Sequence, residues 1–235
     1  MSPFQAARGI KLESSRKNRN HNIVSRLLPL FPLQLVVFPG NSLPLHIFEP
    51  RYREMVGNAE RDGSEFGIVL AREGGIVNIG CTVRVEQILE RYPDGRFDVM
   101  TRGERRFQVL GIDQELAYLR GEVEFFEDED WTPPSADLRH QAVEAHSALK
   151  QSLKDTGDSG REIDPDPDHP RLSFQLGQAV DDLDFQNRLL RSRSEIERLK
   201  EFINFTGTHI ERREYAARLK KAIPTNGHGH KHIDI

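Results

Sequence analysis

The spacing of apolar residues changes once along this chain, near Trp131. Before that point short apolar runs alternate with polar residues, as at Cys81, Val83 and Val85, and a period of two is typical of half-buried β-strands. After it, apolar residues recur every three or four positions, beginning at Leu138, which is typical of one buried helix face. We therefore expect an α+β fold in which a β region precedes a helical one.

The β region is expected to contain several short strands and one helix. Tyr92-Pro93-Asp94-Gly95 has the proline and glycine of a tight turn, so the strands on either side should pair as a hairpin. A separate strand is expected over Arg106–Ile112. The helix should begin near Pro50 and end at Gly63, with four apolar side chains spaced to share its buried face: Tyr52, Met55, Val56 and Ala59. Short strands at this spacing predict a small barrel or a sandwich.

The helical region is expected to form a bundle over residues 131–223. Ser194 and Glu197 form a capping box at the start of its last helix. The polar stretch 155–170 offers almost nothing to bury, which predicts a mobile loop inside the bundle. The His-rich tail 224–235 is also too polar and too rich in glycine to pack, and it is expected to be disordered.

Charge and cysteine content exclude several classes of protein. The 235 residues carry a net charge of -4 and a single cysteine, Cys81, so an internal disulfide framework and a cysteine-based zinc site are excluded. No apolar run reaches the length of about 18 residues that a membrane span needs, and the N-terminal sequence lacks the apolar core of a signal peptide. These observations predict a cytoplasmic protein without a membrane partner.

Residues 1–26 are basic, with six Lys or Arg side chains against one acid, Glu13. A segment of this composition is expected to be a flexible arm. Nucleic-acid binding is the alternative, because Arg16, Lys17 and Arg19 are suited to phosphate groups. One aromatic residue accompanies these side chains in the arm, and no nucleic-acid motif surrounds them, so we favour the flexible arm.

Four short patterns suggest chemistry, and none of them predicts a catalytic residue, a metal site or a cofactor. Cys81 alternates with valines and is expected to be a core thiol. Gly157-Asp158-Ser159-Gly160 matches the tetrapeptide around a serine-protease nucleophile, but no base can be placed beside it. The acidic run Asp164–Asp168 lacks the glycine and the final glutamate of a calcium loop. The histidines of 228–232 lie in the polar tail, which pre-organises no metal site.

The segment Leu27–Arg53 is unusually apolar and rich in proline, with the sequence LLPLFPLQLVVFPGNSLPLHIFEPRYR. Many of its side chains are expected to be core residues. A rigid, proline-rich segment that cannot place every side chain inside a small barrel would instead leave a groove open to apolar peptide. The residues alone leave both interpretations open.

Several runs of the sequence carry a family resemblance: Leu28–Leu33, Val37–Gly40, Pro44–Arg53, Gly67–Leu70, Gly80–Cys81 and Thr101–Phe107. Together they resemble the N-terminal, substrate-recognition domain of the Lon protease family, and the run around His46 is similar to stand-alone bacterial versions of that domain. The resemblance extends from about Leu27 to Ile210. It implies a PUA-like β-barrel with a short inserted helix over residues 27–130, followed by an all-α helical bundle.

The resemblance also implies a role in recognising unfolded or degron-bearing polypeptide. Full-length Lon adds a P-loop ATPase domain and a peptidase domain with a Ser-Lys dyad, and this chain has no P-loop sequence. We therefore expect a non-enzymatic module without ATPase or peptidase activity and without cofactors. A hydrolase that uses Cys81 or Ser159 is disfavoured, because neither side chain has an identifiable base.

The candidate peptide-binding residues come from the apolar segment and the start of the inserted helix: Phe38, Pro39, Leu45, His46, Phe48, Arg51, Tyr52 and Arg53. The apolar members would contact peptide side chains, and the arginines would orient carboxylates. The expected partners are polypeptide segments, or a protease or chaperone that works with the chain.

RNA binding is the alternative function, because PUA-like barrels in other families bind RNA. Arg102, Arg105 and Arg106 would then contact phosphates. Against this alternative, Glu104 lies among these arginines, and the β region shows no aromatic platform for stacked bases.

Overall fold

The computed structural model describes residues 27–155 and 163–222. The predicted basic arm 1–26, the His-rich tail 224–235 and residues 156–162 of the predicted loop 155–170 lie outside the described residues, as does the Gly-Asp-Ser-Gly tetrapeptide. Within the described part, no helix combines the length and the hydropathy that crossing a membrane requires.

The described residues form six strands and five helices. The strands are β1 (Leu28–Leu33), β2 (Ser42–Ile47), β3 (Phe66–Arg72), β4 (Gly75–Arg91), β5 (Phe97–Asp113) and β6 (Leu119–Phe126). The helices are α1 (Pro50–Asp62), α2 (Ala136–Asp155), α3 (Leu172–Gly177), α4 (Leu183–Arg191) and α5 (Glu195–Ala222). Because α2 to α5 follow all of the described strands, the α+β order expected from the apolar spacing is confirmed.

The six strands form one mixed sheet in the order β2-β5-β4-β3-β1-β6. β1 runs parallel to β3, and the other pairs are antiparallel. The long strand β5 pairs with β4 along its first part and with β6 along its last part, so the sheet curls back on itself. One edge of β2 has no strand partner among the described residues. The sheet is therefore compatible with the expected barrel architecture, although it is not a closed barrel.

β5 runs unbroken over Phe97–Asp113, whereas a separate later strand was expected. The strand continues through Gly103 because the loop after β1 packs directly against it: Gly103 N–H donates to Asn41 O at 2.9 Å, and Gly103 O accepts from Gly40 N–H at 2.8 Å. A Cβ at position 103 would lie 2.2 Å from Phe38 O. The glycine therefore permits a close approach of two backbones instead of ending the strand.

α1 forms as its apolar spacing predicts. Pro50 lies in the first turn, where a missing N–H is tolerated, and Gly63 ends the helix in the left-handed conformation with φ 61°. The four residues expected to share the buried face are the buried ones: Tyr52, Met55, Val56 and Ala59. This face packs against the sheet, where α1 contacts β2 and β4.

One hydrophobic cluster extends from the sheet into the helices. Phe38, which follows β1, stacks on Phe174 of α3 with ring centroids 5.2 Å apart. A Cβ on Gly177, at the end of α3, would lie 2.9 Å from Leu189 and 3.1 Å from the Phe38 ring. The helices therefore pack closely on the sheet, and the division of the chain into parts near residue 130 stays a prediction.

A buried set of charged and polar side chains also joins the sheet to the helices. Arg106 of β5 donates to Asp128, which follows β6, at 2.6 Å, and Arg198 of α5 donates to both oxygens of Asp128 at 2.7 and 2.6 Å. Arg198 also donates to Glu195 and to the hydroxyl of Ser173, each at 2.8 Å. We call these five residues the ion-pair network. Since they come from four separate regions, namely β5, the segment after β6, α3 and α5, they fix the position of the helices on the sheet.

The ion-pair network is largely sealed from water. Arg198 is fully buried, and Arg106 is 5% exposed. Burial acts to raise the pKa of Asp128, but the hydrogen bonds and charges of Arg198 and Arg106 outweigh it, so this pKa lies below its ordinary value. Asp128 is therefore a carboxylate at neutral pH. Together with Glu195 it balances the charge of the two guanidinium groups.

Candidate binding cleft

The predicted peptide-binding residues do not share one exposed surface. Phe38 stacks on Phe174, and Tyr52 stacks on Phe31 with ring centroids 4.0 Å apart. Four of the eight predicted residues are buried: Phe38, Pro39, Leu45 and Tyr52. Since these side chains are part of the hydrophobic core, they cannot line an open groove in this conformation. The expectation is corrected for these four positions.

The exposed members of the predicted set are His46 and Phe48, whose rings stack with centroids 5.8 Å apart. His46 Nδ1 donates to Asp98 at 2.5 Å, and the Tyr92 hydroxyl donates to the same carboxylate at 2.8 Å. These two hydrogen bonds, the one from His46 first, lower the pKa of Asp98. His46 and Phe48 therefore present a small, mainly polar patch on the outer side of β2 and β5.

The two arginines of the predicted set are half-buried and hold neighbouring groups. Arg51 pairs with Glu49 at 2.8 Å, across the start of α1. Arg53 donates to the backbone oxygen of Asp94 at 2.8 Å, in the turn between β4 and β5. Arg51 therefore has a structural contact at the start of α1, and Arg53 has one at the turn between β4 and β5. Their role in binding stays a prediction.

The arginines of the RNA-binding alternative are engaged in ion pairs. Arg106 belongs to the ion-pair network and is buried, so it cannot contact phosphates as that alternative requires. Arg105 lies 3.0 Å from Glu65, and Arg102 lies 3.6 Å from Glu86. The expected basic surface is therefore interrupted by acids and lacks one of its three members.

Cys81 lies in the core, as its alternation with valines predicts. Burial raises the pKa of this thiol to about 12, so it is protonated at neutral pH and is a poor nucleophile. Of the acidic run after the undescribed loop segment, Asp166 accepts from the backbone N–H of Asp168 at 3.0 Å. In the part of the chain that the structure describes, no group of three or more His, Cys, Asp or Glu side chains is placed to hold a metal ion.

A cleft opens where the sheet meets the helices, with a volume of about 480 Å³. This volume is within the range of pockets that bind small molecules or side chains, roughly 300–1,000 Å³. Its apolar lining comes from the loop after β1, from β2, from α2 and from the region between α3 and α4: Leu35, Val36, Leu43, Leu149, Leu153, Ala179, Val180 and Leu183. Its polar lining consists of Gln34, Gln178, Asp181, Gln186, His209 and Arg213.

Regular secondary structure places the apolar walls. Leu43, Leu45 and Ile47 lie on one face of β2, and Leu43 is the half-buried member of this row while the other two are buried. Leu149 and Leu153 are one turn apart on α2, so both face the same side of the helix. Leu43 also lines the cleft.

The wall between α3 and α4 is held by local hydrogen bonds. The Gln186 amide donates to Val180 O at 2.8 Å. Asp182 caps α4 by accepting from the N–H of Phe185 at 2.8 Å, which satisfies a donor that the first turn of a helix leaves unpaired. These contacts fix the turn that carries Ala179 and Val180. The cleft is therefore preformed.

α5 supplies the basic side of the cleft through His209 and Arg213, one turn apart. The His209 ring stacks on Phe205 with centroids 5.6 Å apart. Burial lowers the pKa of His209, the positive charge of Arg213 lowers it further, and Asp182 opposes this effect. The imidazole is therefore neutral at pH 7, and the positive charge in this wall is that of Arg213.

The predicted segment contributes to the cleft lining, but through side chains other than the predicted ones. Leu35, Val36 and Leu43 all lie inside the apolar segment Leu27–Arg53. Leu35 and Val36 come just before the first predicted binding residue, Phe38, and Leu43 lies between Pro39 and Leu45. The alternation of residues along β2 predicts that Leu43 lies on the same face of the strand as the buried Leu45 and Ile47. No local pattern indicates that α2 and α5 complete the cleft, because they lie far along the chain.

The fold and its cleft define an α+β domain with an opening between its sheet and its helices, and comparison with known proteins identifies the family. The family described as the ATP-dependent protease La (LON) substrate-binding domain matches residues 27–222. The chain therefore belongs to the LON substrate-binding domain family. No ATPase or peptidase domain is detected in it.

Solved structures agree with this assignment. The crystal structure of a Lon N-terminal domain protein from Xanthomonas campestris has a TM-score of 0.60 and 26% sequence identity, over 76% of this chain and 98% of that chain. The N-terminal domain of a Lon protease from the Mycobacterium avium complex has a TM-score of 0.55 at 18% identity, over 78% of this chain and 100% of that chain. The second likeness concerns the fold alone.

The curated relatives are bacterial Lon proteases, of which this chain matches a small part. The Lon protease of Anaeromyxobacter dehalogenans is 30% identical over 118 residues, which are 46% of this chain and 14% of that protein. The Lon protease of Parabacteroides distasonis is 28% identical over 129 residues, which are 51% of this chain and 15% of that protein.

Proposed function

We propose that this chain is a non-enzymatic recognition module that binds unfolded or degron-bearing polypeptide in the cleft between its sheet and its helices. The observation that carries the proposal is the cleft itself, an opening of about 480 Å³ whose lining combines apolar side chains with polar ones. Membership of a substrate-binding family supports it.

The walls of the cleft suit apolar side chains of an extended segment. Such side chains are buried in folded proteins and become accessible when a protein unfolds. Transfer of one large apolar side chain from water contributes about 1.5–3 kcal/mol, and association and ordering of the segment oppose this gain. A cleft of this size holds few side chains, so we expect dissociation constants on the order of micromolar.

The polar lining suits the backbone of such a segment. Gln34 and Gln178 line the cleft, and an amide side chain can both donate to a peptide carbonyl and accept from a peptide N–H. These contacts do not depend on the identity of the bound residues. The cleft therefore combines selection for apolar side chains with tolerance of different sequences.

The proposal assigns neither ATP hydrolysis nor proteolysis to this chain. A separate protease or chaperone in the cytoplasm would act on the bound polypeptide. The check is direct: the purified chain should neither degrade casein nor release phosphate from ATP, and either activity would contradict this part of the proposal.

Substitutions in opposite walls test the cleft. We expect Leu43→Gln and Leu153→Gln to weaken binding of an array of peptides from a denatured protein by about tenfold each, as loss of about 1.4 kcal/mol implies. The matched control is Leu110→Gln on β5, since Leu110 is an exposed leucine that does not line the cleft. Circular dichroism checks that each variant is folded. Unchanged binding by both wall variants would reject the cleft as the site.

The same assay distinguishes the two earlier hypotheses. If Phe48→Ser weakens binding and the wall variants do not, the site is the patch of His46 and Phe48. If the chain instead binds RNA with an affinity that falls steeply as salt increases, phosphate contacts dominate and the RNA-binding alternative holds.

A further inference from the structure

β2 (Ser42–Ile47) contributes to the cleft and is also an edge strand of the sheet. Leu43 lines the cleft, and beyond β2 no further strand follows among the described residues. An open strand edge carries unpaired backbone N–H and C=O groups, to which an extended chain can add as one more strand. The groups that β2 offers are set by its register on β5.

The odd-numbered residues of β2 direct their backbone groups to β5. Gly103 N–H of β5 donates to Asn41 O at 2.9 Å, and Leu43 O accepts from the Thr101 hydroxyl of β5 at 2.8 Å. Consecutive residues of a strand direct their backbone groups to opposite edges. The residues whose groups face the free edge are therefore Ser42, Pro44 and His46.

The free edge of β2 offers three acceptors and two donors. The acceptors are the C=O groups of Ser42, Pro44 and His46, and the donors are the N–H groups of Ser42 and His46. Within residues 27–155 and 163–222, none of these groups has a backbone hydrogen-bond partner. A proline fits this position, because its missing N–H would face the open edge. An extended peptide backbone, which has both donors and acceptors, complements this edge.

An added strand would place alternate side chains on the two faces of β2. Side chains that lie opposite each other on neighbouring strands share one face of the sheet. The side chains beside Leu43 would therefore enter the cleft, whose other walls include Leu153 and Val180. The side chains beside Pro44 and His46 would lie on the exposed outer face.

The outer face is acidic near His46. Asp98 accepts from His46 Nδ1 at 2.5 Å, and Glu90 accepts from a neighbouring tyrosine hydroxyl at 3.0 Å. The base that acts on Asp98 from the hairpin turn, Arg96, is itself paired with Asp94 at 2.7 Å. Two carboxylates thus adjoin one imidazole, so negative charge is in excess in either protonation state of the imidazole. Lysine or arginine side chains complement this charge.

We propose that the polypeptide segment bound in the cleft pairs as an additional strand with the free edge of β2. Its alternate side chains are apolar and enter the cleft beside Leu43. The intervening side chains lie on the outer face near Asp98, where basic residues are favoured. This inference rests on the proposed function of the cleft.

Backbone methylation tests the strand pairing by fluorescence anisotropy with the full chain. The probe is the dye-labelled peptide Gly-Lys-Leu-Thr-Val-Lys-Leu-Ser with a C-terminal amide, and two further forms carry one N-methyl group, on the threonine or on the valine. Alternate N–H groups of an added strand face β2. We therefore expect one methylated form to bind about fivefold more weakly than the other, which is the net effect of one hydrogen bond. Weakening by methylated threonine indicates an antiparallel strand, and weakening by methylated valine a parallel one.

Pro44→Ala adds an N–H donor to the free edge. It should strengthen binding of the unmethylated probe about threefold, because one more C=O group of the probe then has a partner. The matched control is Pro29→Ala, since Pro29 is a half-buried strand proline on β1 that does not line the cleft, and it should leave the affinity unchanged. Circular dichroism checks that both variants are folded. An equal affinity of Pro44→Ala and wild type would contradict the assignment of the edge.

A probe in which glutamate replaces both lysines tests the charge of the outward side chains. It should bind about fivefold more weakly than the lysine probe at low salt, and this difference should fall to about twofold in Asp98→Asn. Glu73→Gln is the matched control, because Glu73 is an exposed acid in the turn between β3 and β4, and it should keep the fivefold difference. Equal affinities of the wild-type chain for the two probes would reject the placement of these side chains near Asp98.

The results that overturn the strand pairing are distinguishable. If the two methylated forms bind equally and Leu43→Gln weakens both, the strand pairing is wrong and the proposed function stands. If no form of the probe binds, the proposed function fails and the inference fails with it. If the chain alone sediments as a dimer and His46→Pro converts it to a monomer, a second copy occupies the free edge and the inference is overturned.

Discussion

The helices meet the sheet at two places that are built in opposite ways. At the ion-pair network, charged groups are buried and paired with one another. At the cleft, an open volume of about 480 Å³ is lined by apolar side chains that include the half-buried Leu35, Val36, Leu43, Leu153 and Leu183. Arg198 belongs to the first place and Arg213 to the second, about 22 Å farther along α5 at 1.5 Å per residue. One helix therefore anchors to the sheet near its start and forms the wall of an opening farther on.

Because of this difference, we expect the ion-pair network to contribute mainly to stability and the cleft mainly to binding. A network whose donors and acceptors are satisfied internally has little to offer a ligand, and removing one partner leaves an uncompensated buried charge. Half-buried apolar walls contribute less to folding, because part of their surface stays in contact with water. We therefore expect substitutions in the ion-pair network to change stability and substitutions in the cleft to change binding.

The largest effect is expected for Asp128→Asn. Asp128 lies between two buried guanidinium groups, and removing its charge should lower the free energy of unfolding by about 3–5 kcal/mol. Urea denaturation measures this change. The matched control is Glu129→Gln, which removes an exposed ion pair with Arg193 and should cost less than about 1 kcal/mol. Similar losses for both variants would show that the ion-pair network does not anchor the helices.

Low pH should reduce the difference between wild type and Asp128→Asn. The pKa of Asp128 is lower in the folded chain than in the unfolded chain, so its stabilising contribution is complete above the unfolded value of about 3.9. That contribution is lost as the pH falls through the folded value. Urea denaturation of both proteins between pH 6 and pH 2.5 measures the two free energies, and a constant difference would contradict the assignment.

A pair of glycine substitutions should have effects of opposite sign. Gly177→Ala should cost about 1–3 kcal/mol, because the added Cβ would lie 2.9 Å from Leu189 and 3.1 Å from the Phe38 ring. Gly207→Ala is its control on α5, where a Cβ meets no atom within 4 Å, and it should stabilise the chain by about 0.5–1 kcal/mol. Thermal unfolding of both variants measures the effects. Destabilisation by Gly207→Ala would show that this part of α5 is not a regular helix in solution.

The smallest effect on stability is expected in the cleft. Leu153→Gln should lower the free energy of unfolding by less than about 1 kcal/mol, because this half-buried side chain already has part of its surface in water. Urea denaturation gives this value beside the binding data for the same variant. If Leu153→Gln lowers the free energy of unfolding as much as Asp128→Asn does, the cleft and the ion-pair network do not differ in their contribution to stability.

Local patterns in the sequence predict the elements of the fold well. The spacing of Tyr52, Met55, Val56 and Ala59 predicts α1 and its buried face, and the turn at Tyr92–Gly95 predicts the pairing of β4 with β5. These features depend on neighbours a few positions away, so a local pattern contains the necessary information. The parallel pairing of β1 with β3 is not local in this sense and was not expected.

The candidate site was harder to predict for the same reason. Phe38 and Tyr52 were assigned to a groove because they lie in an apolar segment, but which of its residues become core depends on what packs against them. Arg106 was assigned to a basic surface, whereas its partner Asp128 and the neighbouring Arg198 bury it. Asp128 joins Arg106 of β5 to Arg198 of α5, residues far apart in the chain, and neither composition nor periodicity specifies these contacts.

β1 lies between β3 and β6 in the sheet, although it precedes all other described strands. Its pairing with β6 brings Leu28 opposite Gly121, so this contact closes a long loop and slows folding. During synthesis, β1 leaves the ribosome well before β6 is available to pair with it. Until then β3 can pair with only one edge of β1, and the other edge stays open, which is the kind of apolar edge that aggregates when left unprotected.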